Sequence, residues 1–426
     1  MILKNISYLI TQNESREILK DVDLLIKDGT IAGIGRELPE GENKIIDCSG
    51  MVVLPGLINA HTHSSMTLLR GISDNKKLDD WLHEDIFPAE EKMDEDDIYV
   101  GSLLACFEML KTGTTCFNDM YVNMEQVAEA VEESGIRAML GRGLMDIEGG
   151  GEQSLDEAIN FVESFKDNSS RIHACFAPHS VYTASNQLLL DAKECSEFFD
   201  VPYHIHVSET EKEVSDSLDE RGASPLEHLN NLGLVDEELI AAHGVWLTEE
   251  EKDILEDKQG SVVHNPSANL KLGSGVANIP ELIGRDINVA LGTDGPASNN
   301  NLNLFEEAKI ASILHKKDNP ELINEQEILD MATVNGANAL GLDNLIGSIE
   351  IGKKADLVGV DLERPEMKPI HGKRGLISNL VYSFGGEVDL SIVDGEVLIE
   401  NREVAGFDYS KLVAAVEVAS EKLKKQ

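Results

Sequence analysis

Apolar and polar residues alternate with a period of two over residues 21–35, DVDLLIKDGTIAGIG. Val22, Leu24 and Ile26 fall on one face of an extended strand, and Asp28-Gly29 supplies the turn. The pattern predicts a β-hairpin. A second hairpin is predicted at 391–404, SIVDGEVLIENREV, around Asp394-Gly395. Two such hairpins at opposite ends of the chain predict one small β domain built from both termini.

Between them, short apolar runs alternate with segments of helical period. Strands are predicted to end near His61, Asp119, Arg142, His179, His206, His243, Asn265 and Asp294. One helix is predicted from Asp94 to Thr112, with Val100, Leu103, Leu104, Phe107 and Leu110 apolar and Gly113 at its stop. Another runs from Met124 to Ser134 before Gly135. Repeated β-then-α units imply parallel strands with helical crossovers, and closure of eight gives a (β/α)8 barrel. Chemistry in such barrels sits at the C-terminal ends of the strands, where the polar residues of this chain gather.

At 426 residues, with 42% hydrophobic and 27% charged positions, the chain suits a large barrel with an appendage. The net charge of −42 repels nucleic-acid phosphates and anionic lipid. Five cysteines, at 48, 106, 116, 175 and 195, include no Cys-x-x-Cys, which argues against disulfides and a thiolate metal site. No apolar stretch approaches ~20 residues, so no membrane span is expected. A reducing cytoplasm is the simplest location.

His61-Thr62-His63 closes the apolar run that begins at Met51. Residues two apart on a strand share a face, so both imidazoles can reach one ion. His206 ends the fifth predicted strand, with Glu209 three residues later, and His243 ends the sixth. His204 lies deeper on the face of His206 and reads as a buried structural histidine. Asp294 ends the eighth strand. Together these residues predict one zinc ion per chain, with His61, His63 and His206 as nitrogen ligands and Asp294 as oxygen ligand. One position stays open for water, whose pKa the metal lowers towards about 7. Asp294 can take the water proton, His243 can orient the nucleophile, and Glu209 can shuttle the proton to a ring nitrogen of the substrate.

The motifs PGLINAHTH at 55–63, HIHVSET at 204–210, AAHGV at 241–245, HNPSANLKLGSG at 264–275, LGTDGPASNNNLNLF at 291–305 and GSIEIGKKADLV at 347–358 resemble the amidohydrolase superfamily. They span nearly the whole chain in the expected order. HTHSSMTLLRG at 61–71, WLHEDIFPAEE at 81–91, RGL at 142–144 and APHSVY at 177–182 are more specific. They resemble the 5-methylthioadenosine/S-adenosylhomocysteine deaminases, including archaeal 5′-deoxyadenosine deaminases. The resemblance implies a (β/α)8 barrel over 55–354, a small β-sandwich from 1–54 and 355–408, and a C-terminal helix over 409–426. It implies zinc-dependent hydrolytic deamination of a 5′-modified adenosine to the matching inosine plus ammonia, in nucleoside salvage, by a homo-oligomer. It also implies substrate contacts. Glu90 matches the carboxylate on the ribose hydroxyls, His179 the histidine on the purine, and Arg142 the residue at the far end of a 5′ substituent.

Two departures bear on this. The segment 147–154, IEGGGEQS, reads as a loop without the second arginine that some homocysteine-accepting relatives carry. A small uncharged 5′ group is therefore expected. The fourth strand, Arg171-Ile-His-Ala-Cys-Phe-Ala-Pro, has no lysine to be carboxylated as in binuclear relatives, so one metal is expected. His264 is expected to stabilise its loop or to support the site from behind.

The nearest competing reading is another deaminase or chlorohydrolase of the superfamily, acting on guanine, cytosine or a triazine; a Glu90 ribose contact favours a nucleoside. A non-catalytic barrel would be expected to lose ligands, and this chain keeps them. The small zinc deaminases require His-x-Glu with Pro-Cys-x-x-Cys, which is absent.

Overall fold

Gly56 divides two β systems. In the computed structural model, which describes all residues except 42, 147–149, 167–168, 318, 406 and 425–426, the apolar run from Met51 forms two strands. Met51–Pro55 belongs to a terminal sheet and Leu57–Thr62 is the first barrel strand. A side chain at Gly56 would sit 1.9 Å from Thr115 Oγ1, so only glycine passes this crossing.

The barrel sheet is all parallel. Its strands are Leu57–Thr62, Thr114–Tyr121, Arg137–Leu144, Ile172–Pro178, Tyr203–Val207, Leu239–His243, Ser261–His264 and Val289–Leu291, in spatial order. The eighth meets the first through Asp294 N–H to His61 O at 3.0 Å and Thr293 N–H to Asn59 Oδ1 at 3.0 Å. The expected eight units are present. Helix Glu95–Lys111 carries a capping box between Asp94 and Asp97, and Met124–Ser134 stops at Gly135 with φ 77°.

Both predicted hairpins form: Ile18–Lys27 with Thr30–Gly35, and Leu390–Val393 with Glu396–Glu400. All four turn residues, Asp28, Gly29, Asp394 and Gly395, have positive φ, as a tight hairpin turn requires. These strands, with Ile2–Ile10, Ile45–Asp47, Met51–Pro55, Leu357–Asp361 and Glu403–Val404, make one nine-stranded mixed sheet. The two turns touch, since a side chain on Gly29 would meet the Asp394 carboxylate at 2.6 Å. The sheet has its own core, where Leu3, Leu24 and Ile26 meet Leu357, Leu390 and Ile392. In the chain between strands Leu357–Asp361 and Leu390–Val393, helix Gly372–Tyr382 packs on barrel helices Leu304–Leu314 and Glu325–Met331.

One buried ion pair ties sheet to barrel. Arg137, fully buried on the third barrel strand, donates to Asp356 through Nε at 2.7 Å and Nη2 at 3.0 Å. Among the described residues no helix is long and apolar enough to cross a membrane.

Candidate active site

His61 and His63 face inward from the end of the first barrel strand, while Thr62 between them points the other way. Thr62 Oγ1 donates to Asp119 Oδ1 at 2.6 Å. Asp119 also accepts from Ser64 N–H at 2.6 Å and Ser64 Oγ at 2.9 Å. This fully buried carboxylate fixes the turn on which His63 sits, and burial raises its pKa. The sequence marked Asp119 only as a strand end.

The outer ring nitrogens set the proton positions. His63 Nδ1 lies 2.6 Å from Met120 O, and His206 Nδ1 lies 2.7 Å from His179 O. A carbonyl only accepts, so in each neutral ring the proton is on Nδ1 and Nε2 carries a lone pair. These two Nε2 atoms stand 3.3 Å apart. His61 Nδ1 is 3.0 Å from Nε2 of the buried His204, and His61 Nε2 is buried with no hydrogen-bond partner among the described residues. Asp294 Oδ1 is 3.5 Å from His61 Nε2 and 3.4 Å from His63 Nε2.

Ligand atoms of the three histidines lie within 4.8 Å of one another. The facing lone pairs of the neutral His63 and His206 rings, beside the Asp294 carboxylate, repel unless a cation lies among them. The residues therefore fit a divalent metal with three imidazole ligands and one oxygen. Burial pushes His61 down to about 4 and His206 well below its ordinary value, which keeps both in the neutral, ligating form. Asp294, in the left-handed region at φ 61°, accepts from Gly295 N–H at 2.7 Å and Ser298 Oγ at 2.8 Å. Burial alone would raise its carboxyl, but His61, His63 and His243 more than offset this and hold it well below the carboxylate range.

Glu209 and His243 stand side by side. Glu209 Oε1 accepts from Ser274 Oγ at 2.9 Å, and Oε2 lies 3.7 Å from His243 Nε2. Burial pushes the Glu209 pKa up, against the pull of His243. His243 Nδ1–H donates to Asn269 Oδ1 at 2.8 Å, which leaves Nε2 facing Glu209. Burial would lower the His243 pKa, but Glu209 and Asp294 more than offset it and hold it above its ordinary value. Glu213 is a further support that sequence reading missed. Its carboxylate accepts from Ser208 N–H at 3.0 Å and Glu209 N–H at 2.7 Å, clamping a turn in which Ser208 has φ 51°.

A cavity of about 280 Å³ opens onto His63, His206, Glu209, His243 and Asp294. Glu90 and His179 are in its wall, beside Phe87, Met120, Val122 and Met145. Tyr121 Oη donates to Glu90 Oε1, and burial raises the Glu90 carboxyl. His179 Nδ1 lies 3.0 Å from Thr183 Oγ1, and burial pushes the ring down to about 3. Trp81 lines the same cavity with its buried Nε1 unpartnered among the described residues. WLHEDIFPAEE contained this residue, but a tryptophan in an acidic, amphipathic stretch gave no sign of its direction.

The structure does not bring Arg142 into this wall. Gly143 lines the cavity, while Arg142, one residue earlier, faces outward and pairs with Glu157 of helix Gly151–Phe165. Of the segment read as a loop at 147–154, residues 147–149 lie outside the described residues. Gly151 to Ser154 form the first helical turn, with Ser154 Oγ donating to Gly151 O at 2.9 Å. The helix-forming run after Gly151 accounts for this difference. His264 is outside the cavity, 3.5 Å from His315 through their Nε2 atoms.

The amidohydrolase family profile matches residues 52–398. The chain belongs to the amidohydrolase family. Among its amidohydrolase relatives is the 5′-deoxyadenosine deaminase of Methanobrevibacter smithii, 44% identical over 94% of this chain and 93% of that protein. The 5-methylthioadenosine/S-adenosylhomocysteine deaminase of Thermoanaerobacter pseudethanolicus is 41% identical over 99% of both chains. An adenosine deaminase from Xanthomonas campestris, solved with bound zinc, superposes with a TM-score of 0.95 at 33% identity, covering 100% of this chain and 98% of that one. An atrazine chlorohydrolase from Arthrobacter aurescens shares the amidohydrolase fold, with a TM-score of 0.92 at 24% identity over 98% of this chain and 99% of that one.

Proposed function

We propose that the chain is a zinc-dependent hydrolase that deaminates 5′-modified adenosines to the matching inosines, releasing ammonia. The observation that carries this reading is one cavity onto which the facing Nε2 atoms of His63 and His206 open together with a half-buried carboxylate, Glu90, suited to a ribose diol. The names and high identity of the deaminase relatives support the substrate class.

His61, His63 and His206, through Nε2, and Asp294 would hold the metal. Bound there, zinc supplies Lewis-acid activation of water, lowering its pKa from 15.7 towards about 7. Asp294, kept ionised by the surrounding histidines, accepts the water proton. His243 directs Nε2 at the reacting oxygen. Glu209, whose pKa burial raises, gives a proton to the ring nitrogen beside the purine amino carbon and later serves the departing amine. Glu90 accepts from the ribose hydroxyls, and His179 contacts the base.

The cavity lining includes the apolar Met120, Val122 and Met145, and Arg142 is held on Glu157. This favours 5′-deoxyadenosine and 5′-methylthioadenosine over substrates with a charged 5′ group. Ammonia release from a panel of adenosine derivatives, with guanine and a triazine as controls, tests the assignment. Activity on guanine or the triazine alone would replace it with the competing amidohydrolase reading.

A further inference from the structure

Glu307 is a fully buried carboxylate that makes no ion pair among the described residues. It lies in the first turn of helix Leu304–Leu314 and outside the cavity wall. Such a group is costly to bury unless its oxygens are satisfied, and burial pushes its pKa up to about 7. Each of its oxygens accepts from a different active-site element. Oε1 accepts from Asn299 Nδ2 at 2.7 Å, and Oε2 accepts from Ser267 N–H at 3.2 Å.

The Asn299 arm leads to Asp294. The same Asn299 Nδ2 donates to Thr293 O at 2.8 Å, pinning the carbonyl that precedes Asp294. That residue holds the left-handed φ of 61°, which a β-carbon-bearing residue keeps only when its neighbours fix it. The Ser267 arm leads to His243. Ser267 lies in the first turn of helix Pro266–Lys271, whose N-cap Asn265 makes no side-chain cap, so Glu307 supplies the acceptor from another element. Two residues on, Asn269 accepts from His243 Nδ1–H at 2.8 Å. Ser267 and Asn299 stand in the motifs at 264–275 and 291–305.

We infer that Glu307 is a positioning residue that sets the spacing between Asp294 and His243 by holding the loops after the seventh and eighth barrel strands in one register. The inference rests on the deaminase reading for its kinetic test. Neither arm reaches Glu90 or His179, the residues assigned to the ribose and the base, so the loss falls on turnover and not on binding.

The test compares Glu307→Gln, Asn299→Ala and the double variant, all loaded with zinc. Glutamine keeps the size but sets an N–H against one of two N–H donors, so a soluble protein is expected where alanine would leave a void. The expected result is kcat lowered roughly 10–100-fold in each single variant, as geometry errors at a reacting centre produce, with KM within about twofold. The double variant is expected to lose no more than the worse single one, because both cut one chain of contacts. Near wild-type kcat, a matching rise in KM, or additive losses would overturn the inference and leave Glu307 a stability residue. If the wild type deaminates nothing, the deaminase reading fails separately. The visible spectrum of the cobalt-substituted protein then decides. A changed ligand field in Glu307→Gln at full metal content supports the inference, and an unchanged one overturns it.

Discussion

The Nε2 atoms of His63 and His206 face each other at 3.3 Å, and in the neutral rings both carry lone pairs. Each Nδ1 proton is committed to a backbone carbonyl, Met120 O or His179 O. The backbone thus sets the tautomer of both rings, and the site is arranged for a cation.

His63→Ala or His206→Ala should lose metal and activity together. Elemental analysis of the purified wild type should give one divalent metal per chain. Two metals per chain, or full occupancy in either variant, would contradict this arrangement.

Glu209→Gln separates chemistry from metal binding. Glutamine keeps the shape and the acceptor for Ser274 Oγ but cannot pass a proton. Turnover should fall by ~10²–10⁴-fold, the usual contribution of a general acid–base group. Metal content should stay at the wild-type level. Near wild-type turnover would remove Glu209 from the proton path.

Much of this site was legible in the sequence, because strand alternation and the ends of apolar runs place residues on a barrel rim. His61, His63, His206, Glu209, His243 and Asp294 converge for that reason. Both DG hairpins were legible because their turn residues are the ones that tolerate positive φ. What the sequence hid is what depends on distant partners. Arg142 follows Glu157, a contact set by which face of the third strand it occupies. Glu213 acts through backbone N–H groups, which carry no side-chain signature, and Asp119 and Glu307 join such groups to side chains far away in the sequence. The break at Gly56 follows from Thr115, a residue on the neighbouring strand.

Glu90→Ala should remove the hydrogen bonds to the ribose diol. A hydrogen bond to a charged group contributes about 1.5–3 kcal/mol. The specificity constant for adenosine derivatives should then fall roughly 10–100-fold, since about 1.4 kcal/mol is tenfold. A 2′,3′-dideoxy substrate should hardly respond. Equal losses on both substrates would place Glu90 outside the ribose pocket.

The Arg137–Asp356 pair joins the terminal sheet to the barrel with both side chains buried. Asp356→Ala leaves a guanidinium in the interior without its partner, which costs about 3–5 kcal/mol. Denaturant unfolding should show that loss, and replacing both residues with apolar side chains should recover most of it. A loss below about 1 kcal/mol, typical of exposed pairs, would mean that water reaches the pair.

The central claim is that the barrel deaminates nucleosides with a small 5′ group. It is tested most directly by specificity constants for 5′-deoxyadenosine, 5′-methylthioadenosine, S-adenosylhomocysteine and AMP, measured side by side as ammonia release by the zinc-loaded protein. The first two should match or exceed S-adenosylhomocysteine, and AMP should be poor. A clear preference for S-adenosylhomocysteine or AMP would contradict the apolar 5′ pocket, and no ammonia from any of the four would contradict the nucleoside assignment itself.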